Sequence, residues 1–228
     1  MAAFDDAEFP CRAYGINSDM ESLEIHGKGT LFGYLHEGQT WVMVDGRFDR
    51  VLFDHSYFSI PQNNRSKILA SEGSKGFIAF RNDYFGLNIV GRFLEDKGRL
   101  KYIDGCSDTL LISPPLRGEP CFNFLHFPVG ISQTKHTHPS VRIGMIHTGH
   151  GLCHTEDGTE SLDAGSMFIL APDAVHAFET TDSAMQLTVF HPDSDFGPTH
   201  EEHPMLNRTL VGGVSAKNID RIRTQEIT

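Results

Sequence analysis

The chain is short of basic charge, of long apolar runs and of paired cysteines. Its 228 residues carry 19 Lys and Arg against 30 Asp and Glu, a formal net charge of −11. That balance argues against nucleic acid or an anionic membrane as partner, since both are held by clustered Lys and Arg. No apolar run approaches the roughly 20 residues that span a bilayer, so the expectation is a soluble, cytoplasmic protein. The four cysteines, Cys11, Cys106, Cys121 and Cys153, show no C-x-x-C spacing. They read as reduced thiols rather than a disulfide or zinc framework, with Cys153 keeping a smaller claim to a redox or ligand role. Almost no stretch sustains a 3.6-residue apolar period, so helix should be minor.

What the chain does have is punctuation. Glycines and turn residues recur every 8–12 residues between short runs rich in Val, Ile, Phe, Leu and Thr, the pattern of an all-β sandwich or barrel. Thr40–Val44, Asp45-Gly46 and Arg47–Phe53 read as one hairpin; Gly151–Thr155, Glu156-Asp157-Gly158 and a strand through Leu162 read as another. The contexts match about 110 residues apart. Gly33-Tyr-Leu-His-Glu-Gly38, then Asp45-Gly46, then Phe58-Ser-Ile-Pro61 runs parallel to Met145-Ile-His-Thr-Gly149, Asp157-Gly158 and Phe168-Ile-Leu-Ala-Pro172. This is an internal duplication, read as two tandem β-barrels over residues 1–105 and 106–228.

The chemistry concentrates in the second repeat. His136 and His138, two apart on an extended segment, share one face of a sheet. His176, on a separate segment, can close a three-imidazole metal site, with water or substrate in the open positions. The competing reading is three core histidines satisfied by hydrogen bonds. The runs are Gly130-Ile-Ser-Gln-Thr-Lys-His136-Thr-His138-Pro-Ser-Val-Arg142-Ile-Gly-Met-Ile-His-Thr-Gly149 and Gly165-Ser-Met-Phe-Ile-Leu-Ala-Pro172-Asp-Ala-Val-His176. Their spacing resembles the two motifs of the cupin superfamily over at least residues 121–191. One departure matters: the family usually carries Glu, sometimes Gln, where this chain has Arg142.

That resemblance implies an all-β bicupin of two jelly-roll barrels with little helix, and one divalent metal per chain on His136, His138 and His176. Fe(II) is the first expectation, with Zn, Ni or Mn as alternatives. It implies a metal-dependent oxidoreductase, a dioxygenase-type reaction on a small organic acid. Metal-assisted isomerase, cyclase, decarboxylase or lyase chemistry is the alternative, as is a non-catalytic ligand-binding cupin, because fold does not settle function. A homodimer is left open.

Arg142 sharpens the substrate class. Guanidinium has five donors and no lone pair, so it cannot be a fourth ligand. Three neutral imidazoles leave the metal charge uncompensated and Arg142 adds to it, which favours a small anionic organic substrate, a carboxylate above all. The alternative is Arg142 paired with a buried acid. Lys135 should point away from the cavity, and His147, out of phase with Arg142, should face outward. No general acid or base carboxylate is assignable. The first repeat lacks the motif: Leu23-Glu-Ile-His-Gly-Lys-Gly-Thr30 and Pro61-Gln-Asn-Asn-Arg-Ser-Lys67 stand in its place, and His26, His36 and His55 lack ligand spacing. Its axis should be filled by side chains such as Trp41, Phe58 and Ile60, or hold an organic ligand without metal. The Pro-rich, acidic tail from His191 to His203 should start at the barrel rim, with His191 and nearby aspartates shaping the entrance or merely packing across it.

Overall fold

The structure, a computed structural model, describes residues 2–4, 8–17, 22–92 and 94–225. Among them there is no α-helix, only three short 3-10 turns at Leu206–Arg208, Ala216–Asn218 and Asp220–Ile222. Among the described residues no helix is long and apolar enough to cross a membrane.

The first half supplies β1 (Ala2–Phe4), β2 (Cys11–Ile16), β3 (Leu23–His26), β4 (Gly29–Glu37), β5 (Gln39–Val44), β6 (Arg47–Phe53), β7 (Ser56–Gln62), β8 (Arg65–Ala70), β9 (Lys75–Asn82) and β10 (Ile89–Gly91). The second supplies β11 (Leu100–Lys101), β12 (Ser107–Ile112), β13 (Cys121–Phe127), β14 (Arg142–Thr155), β15 (Thr159–Asp163), β16 (Met167–Leu170), β17 (His176–Glu179) and β18 (Met185–His191), followed by the small ribbon β19 (Leu210–Val211) and β20 (Val214–Ser215). The first ten strands form a six-stranded sheet, β1-β2-β9-β4-β7-β10, and a four-stranded sheet, β3-β8-β5-β6. The next eight form one curled sheet, β11-β12-β13-β18-β14-β15, with β16 and β17 also on β14.

β14 causes the curl. Its first part pairs with β16 and β18, its last part with β15 and β17. Between them lie a break in register at Ile146/Thr148 and Gly149 at φ 74°. A bulge and a left-handed glycine bend a strand sharply, so one strand serves two layers. The first half repeats the scheme across Gly38 at φ 88°: β4 pairs with β7 and β9, and β5 with β6 and β8.

Three apolar clusters follow from these layers. Ile25, Leu31, Val42, Leu52, Phe58, Ile60 and Phe80 fill the space between the two sheets of the first half. Trp41, expected among them, is only half-buried and lies outside this cluster. The interior of the curled sheet holds Phe127, Ile146, Phe168, Leu170, Phe178 and Leu187. The third cluster joins the halves: Phe32, Tyr34 and Phe77 pack on Phe122, Ile143, Met145 and Phe190. Phe32 and Phe190 rings sit 5.0 Å apart and Phe77 and Phe122 rings 5.9 Å. Phe122, Met145 and Phe190 are therefore core residues of the shared layer rather than of the interior of the curled sheet.

Candidate metal centre

The three motif histidines converge. One nitrogen from each of His136, His138 and His176 lies within 4.8 Å of the others, and their ring centroids are 4.4 to 5.1 Å apart. His136 and His138 are not on a regular strand, as the spacing suggested. They lie in the 128–141 loop, which meets β17 at two isolated bridges, Ser132 with Glu179 and His136 with His176, the latter pair exchanging two backbone bonds of 3.0 Å. Proline at 139 and the turn residues around it keep this segment out of a ladder. The rings are nevertheless fixed. His136 Nδ1 is 2.8 Å from the Thr134 carbonyl and His176 Nδ1 is 2.9 Å from the Ala174 carbonyl. A carbonyl only accepts, so each Nδ1 carries the proton and each Nε2 keeps its lone pair. Burial, then the charge of Arg142 and the neighbouring imidazoles, pushes the His138 pKa down to about 3. Three neutral imidazoles with free lone pairs fit a divalent metal.

The histidines line a cavity of about 70 Å³ of water-accessible volume. Its walls are Leu125, Phe127, Phe168, Leu170, Phe178, Leu187 and Val189, with Tyr102, Asp108, Gln133, Arg142 and His191 as the polar points. That space takes a few waters or a small acid.

Arg142 is 7% exposed and faces this cavity. Among the described residues its hydrogen bonds all leave from Nη1: to the Ser140 carbonyl at 3.0 Å, Ser140 Oγ at 2.6 Å, the Val141 carbonyl at 3.2 Å and Asp193 Oδ1 at 3.5 Å. Nε is buried without a partner. Asp193 also accepts from Ser140 Oγ, so its charge is shared. Both readings of Arg142 are thus partly realised: it points inward, and it has an acidic neighbour at long range.

Asp108 on β12 is the residue the sequence did not disclose. Its Oδ2 accepts from Asn123 Nδ2 at 2.6 Å, while Oδ1 is buried without a partner. Burial raises its pKa, with the Asn123 bond opposing. The available signal was a carboxylate at the polar start of a strand that ends apolar, Leu110-Leu-Ile112. His191, expected at the rim, presents a buried, unpartnered Nε2, with its ring 6.4 Å from that of His138. Lys135 is exposed, and Gln133 is buried, accepting from the Phe178 amide at 3.2 Å.

The sequence matches the AraC-like ligand binding domain family over residues 129–197. No curated protein matches the chain. Among solved structures, the cupin 2 conserved barrel domain protein from Leptotrichia buccalis aligns with TM-score 0.57 at 14% identity, over 81% of this chain and 84% of that one. The chain has a cupin fold. Oxalate decarboxylase from Bacillus subtilis, described for its Mn(II) centres, aligns with TM-score 0.53 at 12% identity, over 96% of this chain and 79% of its own. Salicylate 1,2-dioxygenase from Pseudoaminobacter salicylatoxidans, in adducts with gentisate, aligns with TM-score 0.56 at 12% identity, over 81% of this chain and 68% of its own.

Within this cupin fold the first half departs as its sequence indicated at one point and not at another. The pairing of His136 with His176 has its counterpart in His26 opposite Arg65, which supplies no triad. Yet His36 and His55, set aside for want of ligand spacing, come together with His147 in a second cluster. His147 does not face outward. It lies where the halves meet, because the bulge in β14 rotates it toward Tyr34.

Proposed function

We propose that the protein is a bicupin whose second barrel is a metal-dependent enzyme for a small organic acid, with a dioxygenase-type reaction. The repeated pairing scheme of β4–β9 and β14–β18 supports two tandem barrels divided near residue 105. The observation that carries the enzymatic reading is one small cavity that gathers three lone-pair imidazoles, an inward guanidinium and a carboxyl with one unpartnered oxygen. His136, His138 and His176 would hold the ion; Fe(II) would supply oxygen activation, Mn and Ni are the redox-capable alternatives, and Zn would act only as a Lewis acid.

The chain's own groups do the rest. Arg142 binds the substrate carboxylate and orients it. Phe127, Phe168 and Phe178 exclude bulk water from the cavity. Gln133 holds the 128–141 loop on β17 and so keeps the ligand loop in place. Asp108 lines the cavity with Oδ1 unpartnered, and burial raises its pKa, so it can hold a proton to a higher pH than an exposed carboxylate.

That last feature favours a second reading, proton-transfer chemistry such as decarboxylation or isomerisation, in which Asp108 is the general acid. The experiment is to strip the protein with chelator, reload it with Fe(II), Mn(II), Ni(II) or Zn(II), and screen small mono- and dicarboxylates on an oxygen electrode with product analysis. Oxygen uptake coupled to substrate loss supports the dioxygenase. Turnover without net oxygen uptake supports the second reading. Saturable binding with no turnover under any metal overturns both in favour of a ligand-binding cupin.

A further inference from the structure

A second set of imidazoles lies where the two halves meet, outside the cavity. One nitrogen from each of His36 on β4, His55 in the β6–β7 turn and His147 on β14 lies within 4.8 Å of the others. The His55 and His147 rings are 4.9 Å apart, and His36 is 6.1 and 6.4 Å from them.

Each of the three occupies an irregular backbone position. β4 and β9 pair regularly to Leu35 and resume at Glu37, which makes His36 the extra residue of a bulge. β14 and β18 pair regularly to Ile146 and resume at Thr148, which leaves His147 as the extra residue of another. His55 has φ 62°, in the left-handed region that non-glycine residues seldom adopt. Bulges re-aim side chains, and here two bulges and a left-handed turn aim three rings at one point.

The polar contacts suit a ligand set. Tyr34 Oη lies 2.6 Å from His147 Nδ1 and 3.1 Å from His55 Nδ1. A phenol oxygen accepts from two N–H groups, and in that state both rings keep their Nε2 lone pairs. His36 Nδ1 is buried without a partner. Glu37 Oε1, 3.7 Å from His36 Nε2, partly offsets the charge of nearby Lys75.

We propose that His36, His55 and His147 form a second metal site, which takes one Zn(II)-class ion and clamps the first half of the chain to the second. Three imidazoles select a borderline ion over Ca²⁺ or Mg²⁺, which take oxygen ligands. His55 and His147 are half-exposed, so a fourth position is left to water. Two ligands come from the first half and one from the second, so an ion bound there stabilises the packed halves by mass action. The proposal does not rest on the chemistry of the cavity.

The test uses the full chain, stripped with chelator and titrated with Zn(II), and with Co(II) for its absorption bands. Wild type should take up two equivalents. A His138→Ala/His176→Ala variant, which disables the cavity, should take up one and gain several degrees in Tm from it. Adding His55→Asn should abolish both effects, since Asn tolerates the left-handed turn and removes only the ligand. A cavity variant that binds no Zn(II), or binds it equally well with His55→Asn, overturns the proposal. Should the cavity variant fail to fold, His55→Asn alone must lower the wild-type count by one, and an unchanged count overturns the proposal. Loss of the cavity ion with this one retained would count against the enzymatic reading only.

Discussion

Asp108 and Arg142 line the same cavity, yet each is held by a different partner. Asn123 holds one oxygen of Asp108, and Ser140 with Asp193 holds one nitrogen of Arg142. A direct ion pair would cancel the two charges and fill the space between them. Kept apart, the guanidinium can meet an anion, while burial makes the Asp108 carboxyl a better proton holder than an exposed one. Such a separated, buried pair of ionisable groups is what a binding and proton-transfer site requires.

Arg142→Lys should weaken the binding of a small carboxylate by roughly 10- to 150-fold, the equivalent of about 1.5–3 kcal/mol for a lost charged hydrogen bond. The ammonium keeps the charge but not the fork. Metal content should be unchanged, because Arg142 offers no lone pair. Calorimetry on metal-loaded protein reads both quantities. Equal affinity in the variant means that Asp193, not a ligand, is the partner that counts.

Asp108→Asn should lower kcat by about 10²–10⁴-fold with little change in KM, the size of effect expected for a positioned general acid. Burial raises the Asp108 pKa, so the proton is retained to a higher pH than on an ordinary carboxylate. Wild-type rate should therefore fall as pH rises through that raised value, and this limb should vanish in the Asn variant. A variant that keeps both the rate and the limb removes Asp108 from the chemistry.

His176→Ala should remove most of the cavity metal while the chain still folds. The His136–His176 bridge is made by backbone atoms, two bonds of 3.0 Å, and survives loss of the ring. Elemental analysis together with circular dichroism checks this. Metal retained at the wild-type level would mean that the converging rings are a hydrogen-bonded cluster and nothing more.

The clustering of His136, His138 and His176 was legible because the residues that frame them carry their punctuation with them: glycines at 130, 149 and 165, and Pro172. Alternation of apolar and polar residues, with Asp-Gly turns, likewise announced the β5–β6 hairpin in its observed place. What was illegible depends on local breaks of period. A one-residue bulge reverses the face of everything after it, and no residue type marks the bulges at His36 and His147. Strict alternation therefore sent His147 outward. Asp108 was hidden for another reason: its place in the cavity depends on β12 pairing with β13, a tertiary fact.

Gly33→Ala and Gly144→Ala should each destabilise the fold by about 1–3 kcal/mol, as added volume does in a packed layer. A Cβ on Gly33 would lie 2.4 Å from the Phe77 carbonyl and 2.6 Å from the Phe58 ring. On Gly144 it would lie 2.4 Å from the Phe168 ring and 2.6 Å from the Thr188 carbonyl. These two glycines are equivalent in the repeat, each admitting a phenylalanine against its strand. Gly15→Ala on β2, with nothing within 4 Å of the new methyl, is the control and should be near neutral. Denaturant midpoints at constant m-value measure all three. If all three shift alike, the close approach is not what those two positions require.

The thiols should be inert in the folded chain. Cys106, Cys121 and Cys153 are buried, and burial raises their pKa values to about 11, about 12 and about 11. The thiolate is the nucleophile, and a thiol with a pKa near 11 is ionised to only about one part in a thousand at pH 8. A thiol reagent at pH 8 should leave these three cysteines unlabelled in native protein and should label every cysteine once the chain is unfolded in denaturant. Labelling should increase only as the pH climbs toward those raised values. Cys153, on β14 beside the interior of the curled sheet, is the informative position. Rapid modification of Cys153 in the native state would require an opening of that sheet and would restore its claim to a redox role. Protection would leave it as a small apolar packing group, held reduced by the residues that bury it.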